Sequence, residues 1–245
     1  MNDNLLIYAT QYMFSVAFVG MAAGSLFFIL ERKNLAPEMQ RLASICAVVP
    51  FVACLNYFYM KNMVGITGNV DDVLNFPTAF RYVDWLITTP LLLSMFPYLL
   101  GDSDEHFSVM SKLMIADVIM IATGYYGEVS IINATGGTIN GWIGYILGCF
   151  AWLYIVVTLY GTVARLAANM SVPVQKSLNT MRLFVVFGWA IYPIGFFVPL
   201  LGYGVEFQVV RELIYCIADL VNKVGFGLVA MSAAQTISYE LYAQE

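Results

Sequence analysis

Leu213-Ile-Tyr-Cys-Ile-Ala-Asp-Leu-Val-Asn-Lys-Val-Gly-Phe-Gly-Leu-Val-Ala-Met231 is apolar enough to lie in a bilayer, yet it carries Asp219 and, one turn later, Lys223. A charged amine at the bilayer centre costs about 2.5–3.5 kcal/mol on insertion scales, so a lysine there is a functional residue by default. Spacing of four puts Asp219 and Lys223 on one helix face, where the carboxylate compensates the ammonium. The amine is also the side chain that condenses with an aldehyde to a Schiff base.

The rest of the chain has the same character. Sixty per cent of its 245 residues are apolar, 11% are charged, and the mean hydropathy is +0.77. Those values exclude an ordinary soluble domain, which needs more polar residues to cover its surface, and indicate an integral membrane protein. A helical span takes about 20 apolar residues. Seven stretches qualify, at about 5–31, 38–62, 76–101, 107–128, 138–165, 177–202 and 208–238. They are too long and too continuously apolar for barrel strands, which alternate with period two. The expected fold is an all-α bundle of seven transmembrane helices, one domain over 1–245, joined by short connections.

Met1-Asn-Asp-Asn lacks the basic region and cleavage site of a signal peptide, so the first stretch reads as a retained helix. Arg32, Lys33 and Arg41 lie between spans one and two, Lys112 follows span three, and Arg165, Lys176 and Arg182 lie between spans five and six. The opposite connections hold only Lys61 and Arg211. The positive-inside rule then places the N-terminus outside and the C-terminus in the cytoplasm of a multi-pass cell-membrane protein.

Cys46, Cys54, Cys149 and Cys216 all fall inside apolar segments without a CxxC spacing, so they read as packing residues, with no disulfide and no metal site. His106, the one histidine, reads as a solvated loop residue in Gly101-Asp-Ser-Asp-Glu-His. The net charge of −5 and the absence of a basic stripe exclude nucleic acid. Gly65-Ile-Thr-Gly-Asn-Val-Asp-Asp suggests a small hairpin, and Gly136-Gly137 and Ser171-Val-Pro-Val read as breaks. Pro90 and Pro193 bend spans three and six.

Arg81-Tyr-Val-Asp-Trp-Leu-Ile-Thr-Thr-Pro-Leu-Leu-Leu places Arg81, Asp84 and Thr88 on one face of span three. A purely structural reading makes Arg81–Asp84 an intrahelical ion pair. Taken with Asp219 and Lys223, however, the chain holds two buried carboxylates and two buried cations, which balance if they converge. A protonated Schiff base on Lys223 would be stabilised by both aspartates, and moving its charge would allow proton transfer to Asp84. Such groups titrate together. Trp85, Trp189, Tyr192 and Phe196 in spans three and six, with Tyr57 in span two and Trp152 in span five, could wall a slot for an elongated apolar ligand.

These motifs resemble the microbial (type 1) rhodopsins, most of all the proteorhodopsin and xanthorhodopsin group. The third-span stretch matches that family's signature; Ile119-Met-Ile-Ala-Thr-Gly-Tyr-Tyr-Gly-Glu resembles its fourth helix, Phe187-Gly-Trp-Ala-Ile-Tyr-Pro its sixth, and Ile217-Ala-Asp-Leu-Val-Asn-Lys its seventh. The resemblance implies all-trans retinal bound covalently to Lys223. Asp84 would be the primary proton acceptor and counterion, Asp219 the second counterion, Arg81 their partner, and Thr88 a hydrogen-bond donor to Asp84. Trp85, Thr89, Leu92, Met120, Gly124, Trp152, Trp189, Tyr192 and Phe196 would line the retinal pocket, with Tyr57 and Tyr192 bonded to Asp219. Leu92 implies green absorption, and Asp117 a neutral, hydrogen-bonded acid near the ring end of retinal. Glu206 and Glu212 are candidates for proton release.

Three positions depart from the pattern. Met95, with Ser94 beside it, stands where pumping members carry a carboxylate donor, so reprotonation from the cytoplasm should be slow. Asn56 replaces the histidine that partners the acceptor in proteorhodopsins. Tyr145 fills the place of the glycine that admits an antenna, so no carotenoid is expected there. The first functional reading is a light-driven outward proton pump with a slow photocycle, not an enzyme. The second is a photosensory receptor signalling to a transducer, which the missing donor favours. A chloride pump would lack the carboxylate at Asp84. Membrane lipid and further copies of the chain are the other expected partners.

Overall fold

The computed structural model of the chain describes residues 3–101, 104–133, 139–197 and 204–244. Among them run seven long helices and no strand. The first four span Asp3–Glu31, Gln40–Val64, Ala79–Leu100 and Asp104–Asn133. The fifth begins at Ile139 and continues through a wide i→i+5 turn, Leu159–Val163, to Leu166. The sixth covers 172–196 and the seventh Val205–Tyr242, each again interrupted by one wide turn, Phe184–Gly188 and Val221–Gly225. Six of these helices are long and apolar enough to cross a bilayer. The sixth opens with Gln175, Lys176, Asn179 and Arg182, which lowers its hydropathy. Its expected end, at 202, lies outside the described residues, as do Gly136 and Gly137.

The apolar pattern explains the packing. Large side chains such as Leu26, Phe51, Ile115, Phe150, Phe187 and Ile194 point outward and stay exposed, a surface suited to acyl chains rather than water. Inside, Phe28, Leu92, Leu93, Phe96, Leu178 and Phe226 fill one half of the bundle and Phe14, Met21, Tyr57 and Met60 the other. Span one packs on two and seven, three on two and four, five on four, and six on seven. Span five meets span six where the Trp152 indole donates to the Val185 carbonyl at 2.9 Å. The result is a closed ring around an interior that only a few polar side chains reach.

Spans four and five touch backbone to backbone. A Cβ on Gly144 would lie 2.7 Å from the Gly127 nitrogen and the Thr123 carbonyl, and one on Gly127 would lie 2.9 Å from the Gly141 carbonyl. Small residues at such crossings let dispersion replace the hydrophobic effect that lipid cannot supply.

The connection after span two departs from the expected hairpin. Gly65 and Gly68 take positive φ, and a short helix, Val70–Leu74, follows, capped by Asn69, whose side chain accepts from the Asp71 amide at 3.0 Å. The Gln11 side chain ties this connection to span one, accepting from the Gly68 amide (2.9 Å) and donating to the Val64 carbonyl (3.2 Å). His106 also lies outside its expected place, in the first turn of span four rather than in a loop, with Nδ1 2.5 Å from the Gly101 carbonyl. Ser171 precedes the sixth span in extended conformation, and Pro173 sits in its first turn, where a missing N–H costs nothing.

Replacing Gly144 by Val should overpack the crossing of spans four and five and cost about 1–3 kcal/mol. Thermal denaturation of the detergent-solubilised protein checks this; an unchanged midpoint would show that the crossing is looser than described.

Candidate functional site

Lys223 sits in the wide turn of span seven, where an extra residue per turn turns the ladder out of register. Its side chain is 3% exposed and points to the centre of the bundle, with Nζ 2.9 Å from Asp84 Oδ2 and 3.0 Å from Asp219 Oδ1. The convergence expected from the sequence is therefore present. A cation so enclosed persists only when paired this closely.

The two carboxylates differ in their surroundings. Asp219 Oδ1 accepts from Tyr192 Oη (2.8 Å) and Trp85 Nε1 (3.0 Å), and Oδ2 accepts from Tyr57 Oη (2.8 Å). Asp84 has no hydrogen-bond donor among the described residues beyond its ion pair with Lys223. Thr88, expected to donate to the Asp84 carboxylate, instead donates to its backbone carbonyl at 2.9 Å, because its hydroxyl sits one turn along the same helix. Asn56 likewise turns back on its own helix and donates to the Val52 carbonyl at 3.0 Å.

Arg81 is fully buried, but it does not form the intrahelical pair with Asp84. Its guanidinium turns to span seven, where Nε and Nη2 donate to Glu212 Oε2 at 3.1 and 2.8 Å. Nη1 donates to Tyr57 Oη at 3.0 Å and lies 3.6 Å from Asp219 Oδ2. Rings of Phe14, Tyr57, Phe76 and Tyr215 surround it, with centroids 5.1 to 5.8 Å from the guanidinium carbon. Glu212 is thus a buried member of the cluster, whereas Glu206 is exposed.

A cavity runs from Lys223 between spans three, four, five and six. Trp85, Thr89, Leu92, Met120, Gly124, Trp152, Trp189, Tyr192 and Phe196 all line it, as expected, and so does Pro193. Tyr57 does not line the cavity; it acts on it only through Asp219. Asp117 is fully buried beside the cavity wall, 2.7 Å from Thr89 Oγ1. Tyr145 packs its ring 4.7 Å from that of Phe196 and 4.8 Å from that of Phe197, filling the side between spans five and six. Met95 is fully buried, with Sδ 3.8 Å from Cys46 Sγ.

Tyr82, Tyr215 and Asn222 also line the cavity and were not expected to. Asn222 donates to the Gly188 carbonyl at 3.0 Å, a contact that a Cβ at Gly188 would block. A signal for one of the missed residues existed: Asn222 lies three after Asp219, on its helix stripe.

Residues 8–237 match the family described as bacteriorhodopsin-like protein. The chain belongs to the bacteriorhodopsin-like family. A green-light absorbing proteorhodopsin from a gamma-proteobacterium is 34% identical over 228 residues, 92% of this chain and 86% of that protein. Bacteriorhodopsin of Halobacterium salinarum is 28% identical, covering 86% and 78%. Among solved structures, the rhodopsin of Exiguobacterium sibiricum is 54% identical with a TM-score of 0.90, covering 96% of this chain and 98% of that one. Xanthorhodopsin, described as a light-driven ion pump with dual chromophore, is 28% identical with a TM-score of 0.85, covering 97% and 95%. Like other bacteriorhodopsin-like proteins, this one is a multi-pass membrane protein.

Tyr57→Phe should remove one hydroxyl that both donates to Asp219 and accepts from Arg81, destabilising the fold by about 1–3 kcal/mol. A thermal midpoint equal to that of the parent protein would mean the hydroxyl does not brace the cluster.

Proposed function

We propose that the chain is a light-driven outward proton pump that holds all-trans retinal on Lys223. The single observation that carries this reading is the position of Nζ, between two carboxylates and in the wall of an apolar, aromatic cavity. The cavity fits the group: its lining is apolar and aromatic, and its one primary amine stands at one end. Bound to Nζ through its aldehyde, retinal supplies visible absorption and an isomerisation that reorients the nitrogen.

The protein's own residues then determine where the proton goes. Asp84 Oδ2, 2.9 Å from Nζ, is the acceptor. Three donors already engage the lone pairs of Asp219, leaving it as the fixed counter-charge. Arg81 keeps a positive charge on the outer side of the pair, so the proton meets a different field on each side of Nζ. On the other side, Met95, Cys46, Phe96 and Phe226 form an apolar barrier, with no carboxylate at the Met95 position. Return of a proton to Nζ from the cytoplasm is therefore slow. Leu92 in the cavity wall supports green absorption, and the Tyr145 ring supports the absence of a carotenoid at that side. The excess of basic residues in one set of connections supports an N-terminus outside and outward transport. The seven helices form one domain across the chain.

The apolar barrier around Met95 also favours a second reading, a photosensory receptor whose slow recovery prolongs a signalling state for a transducer. Illuminating cells that express the chain with retinal separates the two. Acidification of the medium that a protonophore abolishes supports the pump; a slow visible photocycle without any pH change supports the sensor. Lys223→Ala should yield a colourless protein, and a coloured one would end both readings. Met95→Glu should speed recovery of the dark state by about 10²-fold, the low end for a positioned proton-transfer group. Unchanged recovery would refute the account of the slow step.

A further inference from the structure

The charged cluster does not stop at Glu212. Glu212 Oε1 accepts from Arg211 Nε (3.1 Å) and Nη2 (2.8 Å), and Arg211 Nη1 lies 3.9 Å from Glu128 Oε1. Glu128, near the end of span four, accepts from Tyr82 Oη at 2.7 Å and Thr78 Oγ1 at 3.1 Å. Tyr82 also lines the cavity and packs edge-on against Trp85, with centroids 5.0 Å apart. Glu128 is thus joined to the surroundings of Lys223 twice, through the phenol of Tyr82 against Trp85 and through Arg211, Glu212 and Arg81.

Two features give this chain a direction. Side-chain exposure is higher at its far members than at its inner ones, 0% at Asp84 and 1% at Arg81 against 6% at Glu212, 12% at Arg211 and 8% at Glu128. Thr78, Glu128 and Arg211 also stand at the same end of the bundle, where spans three and seven begin and span four ends. The other feature is the charge count. Asp84, Asp219, Glu212 and Glu128 face Lys223, Arg81 and Arg211, so full ionisation leaves one negative charge uncompensated in a site shielded from water. Glu128 has the weakest claim on a cation. The other three carboxylates each have a nitrogen within 3.0 Å, while Glu128 has, among the described residues, one at 3.9 Å and otherwise hydroxyls. Tyr215 on span seven also interacts with it electrostatically, and span five runs its backbone at Gly141, Gly144 and Tyr145 past the neighbouring Gly127.

We propose that Glu128 holds the proton that the protein discharges at its outer face, with Arg211 and Glu212 as the positioning residues that link it to Arg81 and Asp84. The inference rests on the pump reading above. No bond other than O–H is made or broken: Glu128 gives its proton to bulk water and is recharged by the proton that Asp84 later surrenders.

The test follows proton release from the full chain, regenerated with all-trans retinal in lipid nanodiscs, with a water-soluble pH dye after a laser flash. In Glu128→Gln the colour and the rate at which Nζ loses its proton should match the parent, while appearance of the proton in the medium should slow by about 10²-fold. Release at the parental rate overturns the inference and leaves the pump reading standing. A parent protein that releases no proton on illumination overturns both. Should Glu128→Gln fail to regenerate colour, Glu128→Asp carries the test: a several-fold change in release time is expected, and an unchanged one overturns the assignment.

Discussion

One buried cation sets the terms for the rest of this structure. An ammonium at the centre of a seven-helix bundle is affordable only where carboxylates reach it, and Asp84 and Asp219 do so from two different spans at 2.9 and 3.0 Å. That requirement fixes the rotation of spans three and seven about their axes and their relative height. The hydroxyls of Tyr57 and Tyr192 and the indole of Trp85 then complete Asp219, drawing spans two and six to the same point. Polar groups that would be a liability in lipid become the link among four helices.

The asymmetry of the two halves follows from the same pairing. Toward the end where span seven begins, charge compensation propagates: Arg81 must be paired, which recruits Glu212, which recruits Arg211, which approaches Glu128. Toward the other end no charged side chain among the described residues pairs with Lys223, and Met95, Phe96 and Phe226 fill the interior with apolar packing. Among the described residues the charged groups around Lys223 thus gather on one side. The backbone serves this arrangement. The wide turn at Val221–Gly225 presents Lys223 inward, and Gly188 leaves room for Asn222 to bond across spans six and seven.

The catalytic inventory was legible in the linear chain because each member violates the cost of placing charge in an apolar run. Arg81, Asp84, Asp219 and Lys223 stand out for that reason, and helical spacing groups them on inward faces. Most cavity residues were legible only through the likeness of whole motifs to a known family, since aromatic residues in membrane helices are ordinarily packing. Partner choice was not legible. Periodicity put Arg81 and Asp84 on one face and suggested a pair, but a guanidinium can reach across to another helix, and Glu212 lay closer to it in space. Thr88 was misjudged for a related reason: its hydroxyl has a backbone carbonyl one turn back in its own helix, which needs no tertiary contact.

The amino-acid sequence alone determined that the chain folds in a membrane, how many helices cross it, and which four residues carry charge into its centre. These are local properties, set by hydropathy over some twenty residues and by the period of the helix. Only the tertiary structure decided which charge meets which, where the cavity runs, and that Glu128 on span four joins the cluster of spans three and seven. Such choices depend on the rotation and height of packed helices, which side-chain contacts across the whole bundle set together and no single segment encodes.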